Sequence, residues 1–169
     1  MPDKRTIDKA KADKRAGKSA TTQAGEFVHD EIDKIRHGEH GARSAKQAIA
    51  IGLSEARCAG VDLPPPKRGT TSERTRKSAE YAYEAGQGER KTTRRPKVAR
   101  AAKRALKREP TSTVSRTSLS RQASSAAARR SPASRSAAAK KAAATKGPAE
   151  RSAAARKAAR TRTRPARKK

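Results

Sequence analysis

The chain has 169 residues, with 44 Lys and Arg against 16 Asp and Glu, and a formal net charge of +28. Aromatic residues make up 2% (one Phe, two Tyr, no Trp), so there is too little apolar material to offset the chain entropy of a large ordered domain. One cysteine excludes an internal disulfide and fits a reducing compartment.

Residues 1–20 mix Lys, Asp and Ala around one large apolar residue, Ile7, and read as a flexible charged arm. The start lacks the apolar run of a secretory signal. No later stretch approaches the ~18 apolar residues that a membrane span needs.

The first clear periodicity is EFVHDEIDKIRHG, in which Val28, Ile32 and Ile35 recur at i, i+4 and i+7 beside Phe27. Acidic residues come early, Arg36 and His37 late, and Gly38 follows, as the helix dipole and a glycine stop require. This spacing predicts a helix over 24–37. In SAKQAIAIGLSEARCAG, Ser44 and Gln47 stand at capping-box spacing, and Ala45, Ala48, Ile49, Gly52, Leu53 and Ala56 form one stripe. The small residues at 48, 52 and 56 predict close approach by a partner helix, which offsets the ~1 kcal/mol that Gly52 costs in propensity. The two helices form a hairpin over 21–63.

VDLPPPKRG ends that module, because three prolines cannot continue a helix. A Pro linker and a weak third helix over 72–85 occupy 64–89, with Ala79, Ala82 and Tyr83 on one face. The hairpin has few apolar residues for a self-standing domain. Either a homodimer through the hairpin or a core completed by the third helix remedies this.

Charge then changes sharply. Residues 1–89 hold 17 Lys and Arg and 14 Asp and Glu, whereas 90–169 hold the other 27 cations and only Glu109 and Glu150. This segment is low-complexity Ala, Ser, Lys, Arg and Pro. Its short helix-prone pieces, KVARAAKRALKRE among them, face costly nucleation and cation repulsion. The expected fold is a small all-α helical hairpin with a third helix, followed by a long intrinsically disordered basic tail over 90–169.

The tail repeats SAAARR at 125–130, SAAAKK at 136–141 and SAAARK at 152–157. The last two belong to a longer unit repeated at an offset of 16, with Lys and Arg exchanging freely. Base readout by a bidentate guanidinium would make that exchange costly, whereas phosphate neutralisation tolerates it. The candidate nucleic-acid contacts are Arg129, Arg130, Arg135, Lys140, Lys141, Lys146, Arg151, Arg156, Lys157, Arg160, Arg162, Arg164, Arg167, Lys168 and Lys169. The expected partner is duplex DNA, bound without sequence preference. Structured RNA is the alternative, disfavoured by the lack of aromatic stacking platforms. A hairpin that binds another protein, with the tail as its anchor, is a further alternative. No membrane partner is expected, since the tail lacks aromatic anchors.

The tail SRSAAAKKAAATKGPAERSAAARKAARTRTRPARKK resembles those of linker histones and of bacterial linker-histone-like nucleoid proteins. The pattern K-Q-A-I-A-I-x-L-S-E-A-R-x-A-G, carried by residues 46–60, resembles a small domain of unknown function in short basic bacterial proteins. Together these resemblances imply a cytoplasmic, nucleoid-associated protein that compacts DNA. His29, His37, His40 and Cys58 match no zinc spacing, and the carboxylates of the first helix lack a pocket, so no metal, cofactor or catalytic role is expected.

Overall fold

The computed structural model describes residues 2–91, 95–145 and 147–163. Among the described residues eight α-helices follow in order: α1 Lys4–Arg15, α2 Ala20–Arg36, α3 Ala45–Cys58, α4 Glu73–Gly86, α5 Pro96–Lys107, α6 Arg116–Ala128, α7 Pro132–Thr145 and α8 Pro148–Thr163. A 3-10 turn, Ser112–Val114, precedes α6. The chain divides into two compact units, Met1–Gln122 and Ala123–Lys169.

This architecture overturns the expectation of a small hairpin followed by an intrinsically disordered basic tail. The residues at 95–145 and 147–163 are largely helical. Local start signals and alanine propensity outweigh cation repulsion. Pro96, Pro132 and Pro148 each stand at the first position of a helix, where the missing N–H is no loss and the fixed φ suits the turn. They start helices rather than merely breaking the chain. Ser115 and Ser131 cap α6 and α7 by accepting from Ser118 N (3.2 Å) and Ser134 N (3.2 Å). Alanine supplies the best propensity between them, and paired cations such as Lys140 and Lys141 are sequence neighbours that do not face each other.

The first unit is built around α2 and α3. Ser44 caps α3 by accepting from Gln47 N (3.3 Å), while Gln47 Oε1 reaches back to Arg43 N (2.7 Å), one residue before the partner that a standard capping box uses. Gly52 meets α2 where no side chain fits: a β-carbon there would lie 2.7 Å from Val28 Cα and 3.0 Å from Phe27 O. The stripe of small residues thus lets two backbones touch.

The hairpin is nevertheless not a two-helix module. Helix α1, capped by Asp3, lays Ile7 and Ala10 on Ala24 and Phe27, and α4 packs Ala79 and Ala82 toward α3. Phe27, Ala24, Ala56 and Val61 form one core cluster. Arg57 ties down the proline segment: its guanidinium donates to Leu63 O (3.0 Å), Pro64 O (3.3 Å) and Leu53 O (3.5 Å).

A second cluster joins Ile35, Ala42 and Ala48 to Val114, a residue of the supposed tail that is 0% exposed. The backbone follows it in. Gly41 N donates to Leu106 O (2.9 Å), Ala42 N to Pro110 O (3.2 Å), and Thr113 Oγ1 to Ala42 O (2.9 Å). A β-carbon on Gly41 would overlap the Glu109 carbonyl. Residues 106–114 are therefore part of the folded unit, docked on the α2–α3 loop.

Candidate functional site

Positive charge is arranged in two ways. On α5, successive residues are about 100° apart, which gathers Lys97, Arg100, Lys103, Arg104 and Lys107 within about a third of the circumference. Ala99, Ala102 and Leu106 take the opposite arc with Val98, and every residue of α5 except Leu106 is exposed. Among the described residues none of these five cations has a salt-bridge partner. They line a shallow hollow of about 560 Å³ formed by their own aliphatic stems.

The second unit spreads its charge instead. Its fifteen Lys and Arg are the candidate nucleic-acid contacts named from the sequence, and Glu150 is its one acidic side chain. Arg129 and Arg130 follow the end of α6, and Arg130 donates to Ser134 O (3.2 Å) and approaches Ser134 Oγ (3.2 Å). Arg135, Lys140 and Lys141 lie on α7, while Arg151, Arg156, Lys157, Arg160 and Arg162 lie on α8. All ten are exposed. By register they point around the helices rather than along one stripe, so they present charge in most directions. Lys146, Arg164, Arg167, Lys168 and Lys169 lie outside the described residues.

The sequence marks residues 97–109 as helix-prone but does not single out their cations as a face. The signal was present in KVARAAKRALK, where the cations recur at helical spacing and alanines fill the rest.

The acidic residues have a different disposition from the expected cluster at a helix start. Because α2 begins at Ala20, Glu26, Asp30, Glu31 and Asp33 lie within its body. Glu26 lies 3.8 Å from Lys9, Asp30 holds Lys34 at 2.6 Å, and Asp33 lies 3.1 Å from His29 and 3.8 Å from Arg36. Glu31 is turned inward and only 2% exposed. His40 Nε2 lies 3.6 Å from its Oε2, beyond a hydrogen bond, and Oε1 is buried without a partner. Burial pushes the Glu31 carboxyl above the usual range; His40 and Lys34 oppose this, and Glu55 and Asp30 reinforce it. Burial also pulls on Lys34, but its bond to Asp30 and the charges of Glu55, Asp30 and Glu31 outweigh that and raise it.

Glu31, His40, Ile51 and Glu55 form one wall of a cleft of about 580 Å³. Ala99, Ala102, Lys103, Leu106 and Lys107 of α5 form the other. No group of three or more His, Cys, Asp or Glu suited to a metal ion occurs among the described residues. Among them, too, no helix is long and apolar enough to cross a membrane.

Residues 11–68 match a family of unknown function (DUF6496), about a third of the chain. The match covers α2, α3 and the proline segment and ends before α4. It agrees with the resemblance of residues 46–60 to a domain of unknown function. The linker-histone-like resemblance of the tail has no counterpart in the comparisons. No curated protein and no solved structure matches the chain.

Proposed function

We propose that this chain binds nucleic acid without reading its sequence, by neutralising duplex phosphates with the cations of α5, α7 and α8. Duplex DNA is the preferred target, and binding of this kind would place the protein with the bulk of a cell's DNA. The observation that carries the reading is the exposed, acid-poor character of these helices: one carboxylate side chain, Glu150, accompanies the fifteen cations of the second unit. One carboxylate cannot neutralise fifteen cations, and phosphate at one charge per ~1.7 Å of duplex axis is a matching polyanion. Arginines and lysines aimed around a helix suit a partner met from any side, and they do not form the fixed fork that a base edge requires. The proposal includes no chemical step.

The test is equilibrium binding of the full chain to random-sequence duplex DNA and to structured RNA across a salt series. With ~10 phosphates engaged, the slope of log K against log salt should be about −9 on DNA, indifferent to sequence. A flat salt dependence would overturn the reading. Tighter binding of RNA at matched salt would move the target from DNA to RNA.

A further inference from the structure

The cleft between α5 and the α2–α3 pair contains a buried side-chain oxygen that has no hydrogen-bond partner among the described residues. Glu31 is 2% exposed and its Oε1 lacks a partner. Leaving a buried carboxylate oxygen bare costs free energy, and burying a charge costs more unless a cation joins it. Glu55 lines the same wall beside Ile51.

Across the cleft, α5 is tied to the α2–α3 loop near its end, while Val98 and Ala99 at its start border a hollow shared with Tyr81 and Arg90. Leu106 O accepts from Gly41 N (2.9 Å), and Glu109 lies 3.5 Å from Arg43. Further toward its start the helix buries no residue, and Val98 is 62% exposed. Its apolar arc of Ala99, Ala102 and Leu106 borders open space rather than a packed neighbour. Lys103 stands one turn before the tether, at the edge of that arc, on a four-carbon stem.

We propose that this cleft is a receptor for a primary ammonium group, and that its occupant is Lys103 of α5 itself. Pivoting about the Leu106 tether, the helix closes on α2 and α3. Lys103 Nζ then donates to the orphaned Oε1 of Glu31, whose proton leaves to solvent as the ammonium takes its place with Glu55 nearby, and Ala99, Ala102 and Leu106 settle on Ile51. Closure removes a buried orphan acceptor and an exposed apolar face in one movement. It also withdraws Lys103 and Lys107 from the cationic face, so closure and phosphate binding compete for the same side chains. The competition, unlike the closure, rests on the nucleic-acid reading above.

The experiment uses the full chain with Cys58→Ser, Ile51→Cys and Ala102→Cys, and measures the rate of disulfide formation across the cleft. Glu31→Gln and, separately, Lys103→Met should each slow cross-linking about tenfold, as loss of a charged hydrogen bond predicts. Lys103 is exposed, so its variant tests the closure without disturbing the core. The exposed control Glu73→Gln should leave the rate unchanged. Equal rates in the Lys103→Met and parent proteins would overturn the closure. Duplex DNA at low salt should slow cross-linking, and the cross-linked protein should show a salt slope shallower by about 2, for two withdrawn phosphate contacts. Binding that is unchanged by the cross-link would overturn the competition alone. A flat salt series in the parent would defeat the nucleic-acid reading and leave the cross-linking ratio to judge the closure.

Discussion

Gly52 of α3 lies against Val28 of α2 at backbone contact: a β-carbon on Gly52 would stand 2.7 Å from Val28 Cα and 2.9 Å from Val28 N. Neither atom can swing aside as a side chain does. Gly52→Ala should therefore force the helices apart and destabilise the first unit by ~1–3 kcal/mol. The ~1 kcal/mol that alanine gains in helix propensity offsets only part of this. Chemical denaturation measures the net change, and a neutral or stabilising result would contradict the close approach.

Arg57 is the next point of leverage. It is 7% exposed and directs its guanidinium at three backbone carbonyls, two of them in the segment that leaves α3. Arg57→Met keeps most of the apolar stem and removes all three donors. A loss of ~1–3 kcal/mol is expected, with faster hydrogen exchange around 61–66. Arg57→Lys should rescue little, because an ammonium cannot span the carbonyls as a planar fork does.

The docked strap offers a third test. Val114→Ala removes two methyl groups from a fully buried site and should cost about 2 kcal/mol. Gly41→Ala strikes the same contact from the other side, since its β-carbon would overlap the Glu109 carbonyl. Both variants should expose 106–115 to protease while α7 and α8 keep their helical signal.

Stability should also depend on pH through Glu31. In the folded chain its raised carboxyl keeps a proton at pH values where the unfolded chain has lost it. The folded state binds more protons across that window, so stability falls as pH climbs from the ordinary carboxylate range toward the raised one. Denaturation midpoints between about pH 4 and 8 should show this fall, and Glu31→Gln should flatten it. A parent and variant with parallel profiles would count against a buried, protonated Glu31.

Charge on α7 and α8 should act additively. Exchanging Lys140, Lys141 and Lys157 for Arg should leave DNA affinity within about twofold, whereas changing the same three to Gln should reduce the salt slope by about 3. A single Gln substitution costing more than about tenfold would indicate a specific contact rather than neutralisation.

The hairpin was legible because its signals are local and mutually consistent. The stripe Val28, Ile32 and Ile35, the Ser44 cap and the small residues at 48, 52 and 56 each depend on spacing alone. Start positions were less legible: α2 begins before its apolar stripe, since Thr21, Thr22 and Gln23 continue the helix without contributing to that pattern. The docking of Val114 was not visible, because one valine in a basic stretch has no periodicity, and its partners Ile35, Ala42 and Ala48 lie more than sixty residues away. The tail's helices were not legible because a proline reads equally as an interruption or as a helix start, and three of them occupy first-turn positions. The cations of the second unit were readable from repetition. Those of α5 needed the helix to be drawn before their shared face emerged. Glu31 gave no sign of its burial, as it sits in sequence among three carboxylates that face solvent or cations.

The placement of Pro132 and Pro148 at helix starts has a consequence for how such a protein can change over generations. The two prolines are separated by the same 16 positions as the repeat, so one copy of the repeat carries one complete helix with its own start signal. A duplication or deletion of that length leaves the start signal of every other helix of the second unit in frame. The total charge of the second unit can thus be retuned by copy number, a coarse route in which each added copy brings its own helix start.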